Sequence, residues 1–252
     1  MKRHLLLISN STQPGRPYLE HCLDEMASFL ADARSVLFVP YAMQNVDAYA
    51  DAARNGLRDL GVQVSSIHRA EDPLGAVRDA EAIFIGGGNT FRLLDRLARS
   101  GLLGALRSFA RAGGRYMGTS AGSNMAGPTI KTTNDMPIIY PPTFDALDIV
   151  SFNINPHYAD RDPDVPHDGE TRSQRIAEFH EIDSHAVIGL REQTMLLVDG
   201  TSIQLRGSHA GAKVFRQGQP PTEHHAGEFL DHVLEPHTTL QASTNGAKDD
   251  RE

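Results

Sequence analysis

Residues 118–122, Gly-Thr-Ser-Ala-Gly, set one serine between two glycines in the spacing G-x-S-x-G. On a sharp strand-to-helix turn that spacing pushes a serine hydroxyl clear of the backbone, with glycines where side chains would clash. Ser120 is thereby a candidate nucleophile for acyl transfer. The same five letters also describe an ordinary tight turn. The two readings separate on whether the chain supplies a base, a carboxylate and an oxyanion site around the serine.

The base near neutral pH is usually histidine. Of the 12 histidines, His157 in Asn155-Pro156-His157-Tyr158 follows an apolar run ending at Ile154 and so falls at a strand end. Most of the others fall on helix surfaces or in the C-terminal region. The imidazole in turn needs a carboxylate to fix its tautomer and stabilise the imidazolium. Asp135, in a loop soon after the serine, and Glu192, after a later apolar run, both qualify. Asp135 is preferred, because neighbouring Thr133 and Asn134 can pin its short side chain, whereas Glu192 has more freedom to lose.

The N–H of Ala121, next after the serine, offers one oxyanion donor. Gly88, within Gly86-Gly87-Gly88-Asn89-Thr90, offers a second, since glycines let the backbone approach a ligand closely. Asn89 beside it is a candidate substrate contact. As a phosphate cradle this loop lacks both the G-x-G-x-x-G spacing and the G-K-[ST] ending. His180-Glu181 with His185 approximates H-E-x-x-H, but the second histidine falls one residue late, off the shared helix face. His224-His225 lacks partners at metal spacing. Neither a metal nor a cofactor is expected.

A sheet has to bring these loops together. Short aliphatic runs at 4–9, 35–40, 62–68 and 82–85 alternate with helical spacing over 18–33, 46–60 and 73–80. That alternation predicts an α/β fold, a mostly parallel sheet with helices on both faces. Ligands in such sheets gather at the carboxyl ends of strands, where the glycine loop and the Ser120 turn both emerge. Further strands at 149–154, 186–190, 195–198, 202–205 and 213–215 make the second half richer in β structure, with an antiparallel edge.

The chain of 252 residues suits one α/β domain over 1–236, followed by a polar stretch at 237–252 that reads as a disordered tail. A charge of -8, from 24 basic and 32 acidic residues, with the basic residues scattered, argues against a nucleic-acid or anionic-membrane partner. One cysteine, Cys22, excludes an intrachain disulfide framework and fits a reducing compartment. No stretch approaches the roughly 18 apolar residues of a membrane span. The opening run reads as a buried first strand rather than a signal segment, and a cytoplasmic location is expected.

Beyond single motifs, LLLISNSTQPG, IHRAEDPL, IFIGGGNTF, SAGSN, PTIKTTNDMPI, FDALDI, INPHY, GETRSQRI and VIGL occur in order from residue 5 to about residue 192. Together they resemble the serine peptidase family of peptidase E, the α-aspartyl dipeptidases, which also includes cyanophycinase-like enzymes. The resemblance implies a glutamine-amidotransferase-like α/β fold. It also implies hydrolysis of dipeptides and other short peptides with an N-terminal aspartate. Ser120 and His157 match the family's nucleophile and base, with Asp135 the third member in one view and Glu192 in another. Thr119 and Ser123 stand where the family commonly has tryptophan and alanine. An aspartyl side chain needs a fixed cation, and the Arg172 guanidinium suits a carboxylate two-pronged, with Arg175 as the alternative. A homodimer is left open. The rivals to an aspartyl dipeptidase are a peptidase of β-aspartyl linkages and a non-catalytic binding domain that keeps the glycine loops.

Overall fold

The structure is a computed structural model, and it describes residues 3–161 and 169–234. The expected tail at 237–252 lies outside the described residues. Five strands run parallel in the main sheet: β1 (His4–Ile8), β2 (Ser35–Val39), β3 (Gln63–Ser66), β4 (Ala82–Ile85) and β5 (Arg115–Thr119). β8 (Thr194–Asp199) and β9 (Ser202–Gly207) extend it antiparallel, giving the order β3-β2-β4-β5-β1-β8-β9. These two are the antiparallel edge that the later apolar runs predict.

Side chains alternate across the pleat. Leu6, Ile8, Phe38 and Phe84 face α1 (Leu23–Leu30) and α2 (Val46–Gly56). Leu5, Leu7, Val39 and Ile83 face α3 (Pro73–Arg78), α4 (Thr90–Arg99) and α5 (Leu102–Arg111). Both faces are therefore covered, and near-continuous apolar strands are the sequence mark of that arrangement. The last two helices are additions to the expected set. Their buried leucines, Leu93, Leu94, Leu97, Leu102 and Leu106, recur at helical spacing, and Gly101 at φ 71° makes the turn between them.

Other boundaries shift. The helix expected from residue 18 begins at Leu23, because Leu19 sits at φ 66° and a 3-10 turn over Glu20–Cys22 intervenes. In the run 149–154, Ile149 and Val150 are buried loop residues whose N–H groups both reach the Ala126 carbonyl. The strand is β6 (Asn153–Pro156); apolar character there marks burial and not extension.

A second sheet follows, ordered β11-β10-β7-β6 from β6, β7 (Val187–Leu190), β10 (Ala212–Phe215) and β11 (Thr222–His224). β6 and β7 are parallel, with Pro156 opposite Leu190. α6 (Ala121–Asn124) leads off β5, and α7 (Arg172–Phe179) buries Ile176 and Phe179 against Val187 and Phe215 of this sheet. No helix among the described residues is long and apolar enough to cross a membrane.

Candidate active site

Ser120 occupies the corner between β5 and α6 at φ 50° and ψ -112°. For a non-glycine residue this is sparsely populated backbone, costing on the order of 1–3 kcal/mol and held only by its surroundings. Those surroundings are on hand. The Ser120 N–H donates to Ile8 O at 3.0 Å, and the Tyr116 hydroxyl donates to Gly122 O at 2.6 Å. The Ser123 hydroxyl lies 2.7 Å from Ile8 O and 2.8 Å from Gly118 O. The flanking glycines permit close approach: a Cβ on Gly118 would stand 2.5 Å from the Gly122 carbonyl carbon, and one on Gly122 would strike Ile85 O. The turn is a packed nucleophile elbow.

His157 lies directly beyond β6, at φ 55°. Its N–H donates to Ser9 Oγ at 2.9 Å, and the Ser9 hydroxyl donates to Leu190 O at 2.7 Å. The end of β1 thus sets where the histidine loop leaves the sheet. The imidazole Nε2 is 2.8 Å from Ser120 Oγ and Nδ1 is 2.5 Å from Glu192 Oε1. A carboxylate can only accept, so Nδ1 carries the proton and Nε2 presents its lone pair to the serine hydroxyl. The Glu192 turn is anchored by Gln193 N–H donating to Asn10 Oδ1 at 2.7 Å. His157 and Glu192 keep 39% and 49% of their side-chain surface exposed. The pair is therefore partly open to solvent.

Asp135, the preferred carboxylate on sequence grounds, is elsewhere. Its Oδ2 accepts from the Thr90 N–H at 2.7 Å and the Thr90 hydroxyl at 2.6 Å, at the first turn of α4. Nearness in sequence to the nucleophile places it in the loop beside the glycines, and a helix N-terminus with free N–H groups captures it. Asn89 is likewise committed to structure. It caps α4 by accepting from Arg92 N at 3.0 Å and tethers the loop by donating to Met136 O at 2.8 Å.

Gly88 adopts φ 130°, and a Cβ there would come within 2.9 Å of both Ala42 O and Met43 Sδ. A Cβ on neighbouring Gly87 would approach Ser120 Cβ to 3.0 Å, so this loop lies against Ser120. None of the hydrogen bonds among the described residues engages the N–H of Gly88 or of Ala121. Two donors beside Ser120 are thus available to an anion.

Arg172 opens α7, whose start is fixed by a capping box between Thr171 and Gln174. Burial, and then Arg175, lower its pKa, with the Glu192 charge acting the other way. Among the described residues it has no carboxylate partner. Arg175 is more exposed and pairs with Glu170 at 3.7 Å. Of the two arginines, Arg172 is the half-buried cation without a carboxylate partner among the described residues. Sequence reasoning passes over Ser9 and Asn10. Their signal is polar residues ending a buried strand at the sheet's carboxyl edge.

Residues 5–206 match Peptidase family S51. Peptidase E of Streptomyces coelicolor is 48% identical over 92% of this chain and 95% of its own length. Peptidase E of Salmonella typhimurium is 45% identical over 88% of this chain and 98% of its own. A Drosophila melanogaster protein named a probable alpha-aspartyl dipeptidase is 44% identical over 85% and 90%. Among solved structures, a peptidase from an acI-B1 actinobacterium superposes with a TM-score of 0.68, covering 91% of this chain and 97% of that one. At 20% identity that likeness concerns the fold.

Proposed function

The chain belongs to peptidase family S51, and from that premise we propose that it hydrolyses the peptide bond after an N-terminal aspartate, with Ser120, His157 and Glu192 as its triad. The observation that carries this reading is the unbroken run of contacts from Glu192 Oε1 to His157 Nδ1 and from Nε2 to Ser120 Oγ, ending on a strained elbow. His157 takes the Ser120 proton as Oγ attacks the scissile carbonyl, and Glu192 stabilises the imidazolium that forms. The Gly88 and Ala121 N–H groups receive the oxyanion, whose charge exists only once attack has begun. His157 then protonates the departing amine, and water hydrolyses the aspartyl ester by the same path in reverse. Arg172 pairs with the aspartyl side-chain carboxylate.

The test is amine release from Asp-Leu, isoAsp-Leu and Ala-Leu by the wild type and by Ser120→Ala. The expected result is turnover of Asp-Leu alone, abolished in the variant. Preference for isoAsp-Leu would move the reading to β-aspartyl linkages. Full turnover in Ser120→Ala would end the serine mechanism.

A further inference from the structure

The triad leaves a charged cluster beside it unexplained. Asp160 Oδ2 accepts from Arg191 Nε at 3.0 Å and from Arg191 Nη2, while Oδ1 accepts from Lys213 Nζ at 2.6 Å and from the Tyr158 hydroxyl at 3.1 Å. Arg191 Nη1 also donates to Ala210 O and pairs with Glu223, each at 3.0 Å. The Arg191 guanidinium carbon lies 5.5 Å from the centre of the buried Tyr158 ring, and only 17% of the arginine side chain is exposed. Arg191 and Lys213 each meet both carboxylates, Asp160 and Glu223, so the four charges form a network rather than isolated surface pairs.

Their places in the chain give the cluster its meaning. His157 and Asp160 share the loop that leaves β6, while Arg191 and Glu192 are adjacent on the loop that leaves β7. The two strands are in register up to Pro156 and Leu190, so strand pairing ends one residue before His157 and one before Arg191. Beyond that point a base and a carboxylate, each well exposed, have to keep a 2.5 Å contact. A lone exposed pair supplies little holding force, roughly 0–1 kcal/mol. The two-pronged Asp160–Arg191 contact, beside the Tyr158 ring, joins the same two loops, three residues past His157 on one and one residue before Glu192 on the other.

We propose that the Asp160–Arg191 pair is a clasp that positions Glu192 on Nδ1 of His157, and that Asp160 and Arg191 are positioning residues of this enzyme. The proposal rests on the triad reading above. A planar guanidinium fixes direction as well as distance, which a point charge does not. Alignment matters because displacing a catalytic group by about 1 Å can cost on the order of 100-fold in rate.

The experiment compares Asp160→Asn, Glu192→Gln, the double variant and Glu223→Gln in kcat and KM for Asp-Leu. The proton spectrum is followed in parallel for the far-downfield resonance of the His157 Nδ1–H. Asp160→Asn is expected to lose about 10- to 100-fold in kcat, with KM changed less than about twofold, and to lose the downfield resonance. Because Asp160 acts through Glu192, the double variant should fall no further than Glu192→Gln alone. Glu223→Gln removes the other carboxylate on Arg191 but does not connect the β6 loop to the β7 loop, so both readouts should stay as in the wild type. Should Asp160→Asn fail to fold, Arg191→Lys keeps the charge, loses the fork and is expected to give the same partial loss. Additive losses, an intact resonance with reduced kcat, or equal damage from Glu223→Gln would overturn the clasp. Full kcat in Glu192→Gln would instead overturn the triad reading beneath it.

Discussion

The nucleophile stands between two differently built walls. On the oxyanion side, the Gly87–Gly88 loop is held by backbone contacts and short side chains: Asn89 N to Ala42 O, Asn89 to Met136 O, and Thr90 to Asp135. On the base side, His157 and Glu192 sit on loops joined by long charged side chains, Asp160 to Arg191, with Lys213 of β10 pairing the same aspartate. The first wall has to present N–H groups at fixed points and gains from short tethers with little freedom to lose. The second, on the proposed function, has to accept a proton and recognise a charged substrate, and it would use charge for both. Two carboxylates, one in each wall, therefore do different work, and exchanging their roles in thought is the sharpest way to test the comparison.

The largest expected effect belongs to Glu192. Glu192→Gln should lower kcat by about 10³- to 10⁴-fold, because the amide can donate to Nδ1 and trap the imidazole with its proton on Nε2, facing the serine. Asp135→Asn leaves the His157 contacts untouched, so its kcat should drop by no more than about tenfold, through loosening of the loop beside Gly88. Steady-state rates on Asp-Leu at saturation decide it. A larger loss in Asp135→Asn would reverse the assignment of the two walls.

Next in size is the charge that the base-side wall offers to substrate. An aspartyl peptide satisfies Arg172, whereas the near-isosteric Asn-Leu leaves a half-buried guanidinium unpaired, at a cost of roughly 3–5 kcal/mol. That corresponds to about 10²- to 10³-fold in kcat/KM. Arg172→Met should collapse the Asp-Leu to Asn-Leu ratio toward unity, and Arg172→Lys should restore it in part, without the fork. An unchanged ratio in Arg172→Met would remove specificity from this residue.

The two walls were not equally legible in the sequence. β1, β2, β3 and β4 follow from the runs at 4–9, 35–40, 62–68 and 82–85, and the elbow follows from Gly118 and Gly122, whose close approaches leave no room for side chains. His157 follows from its position at a strand end. The choice between Asp135 and Glu192 did not. Asp135 is 15 residues from Ser120 by number and Glu192 is 72, yet parallel pairing of β6 with β7 brings the distant one to His157. Which strands become neighbours is a property of the second sheet, and local spacing carries no information about it. The Asp160 clasp is hidden for the same reason, since Asp160 and Arg191 come from the two loops that leave β6 and β7.

A smaller effect concerns the tethers of the oxyanion wall. Asn89→Ala removes a helix cap and the contact to Met136 O, and should cost about 1 kcal/mol of stability. Both lost contacts are uncharged, so the cost should be the same at every pH where the protein stays folded. Urea midpoints at a neutral and an acidic pH check this. A cost that changes with pH would mean that charge also holds this wall.

The smallest effect is the counterpart on the base side. Burial alone would push the Asp160 carboxyl upward, but its hydrogen bonds from Lys213 and Arg191 outweigh that and hold it at about 2, against an ordinary 3.8. A carboxyl whose folded value is depressed contributes stability that is present above the unfolded value and is lost as pH falls through the folded one. The unfolded chain therefore takes up this proton near pH 3.8, while the folded protein resists it until about pH 2. Within that window stability must fall with falling pH. Since 41% of the side chain is exposed, solvent screening keeps the contribution to about 1 kcal/mol or less. Asp160→Asn should accordingly be less stable than the wild type near neutrality, with the gap narrowing as pH drops from about 4 toward about 2. The Asn89→Ala gap should stay level over the same range. Urea unfolding of the three proteins across that range measures both gaps, and parallel curves for wild type and Asp160→Asn would show that the clasp is not held by charge.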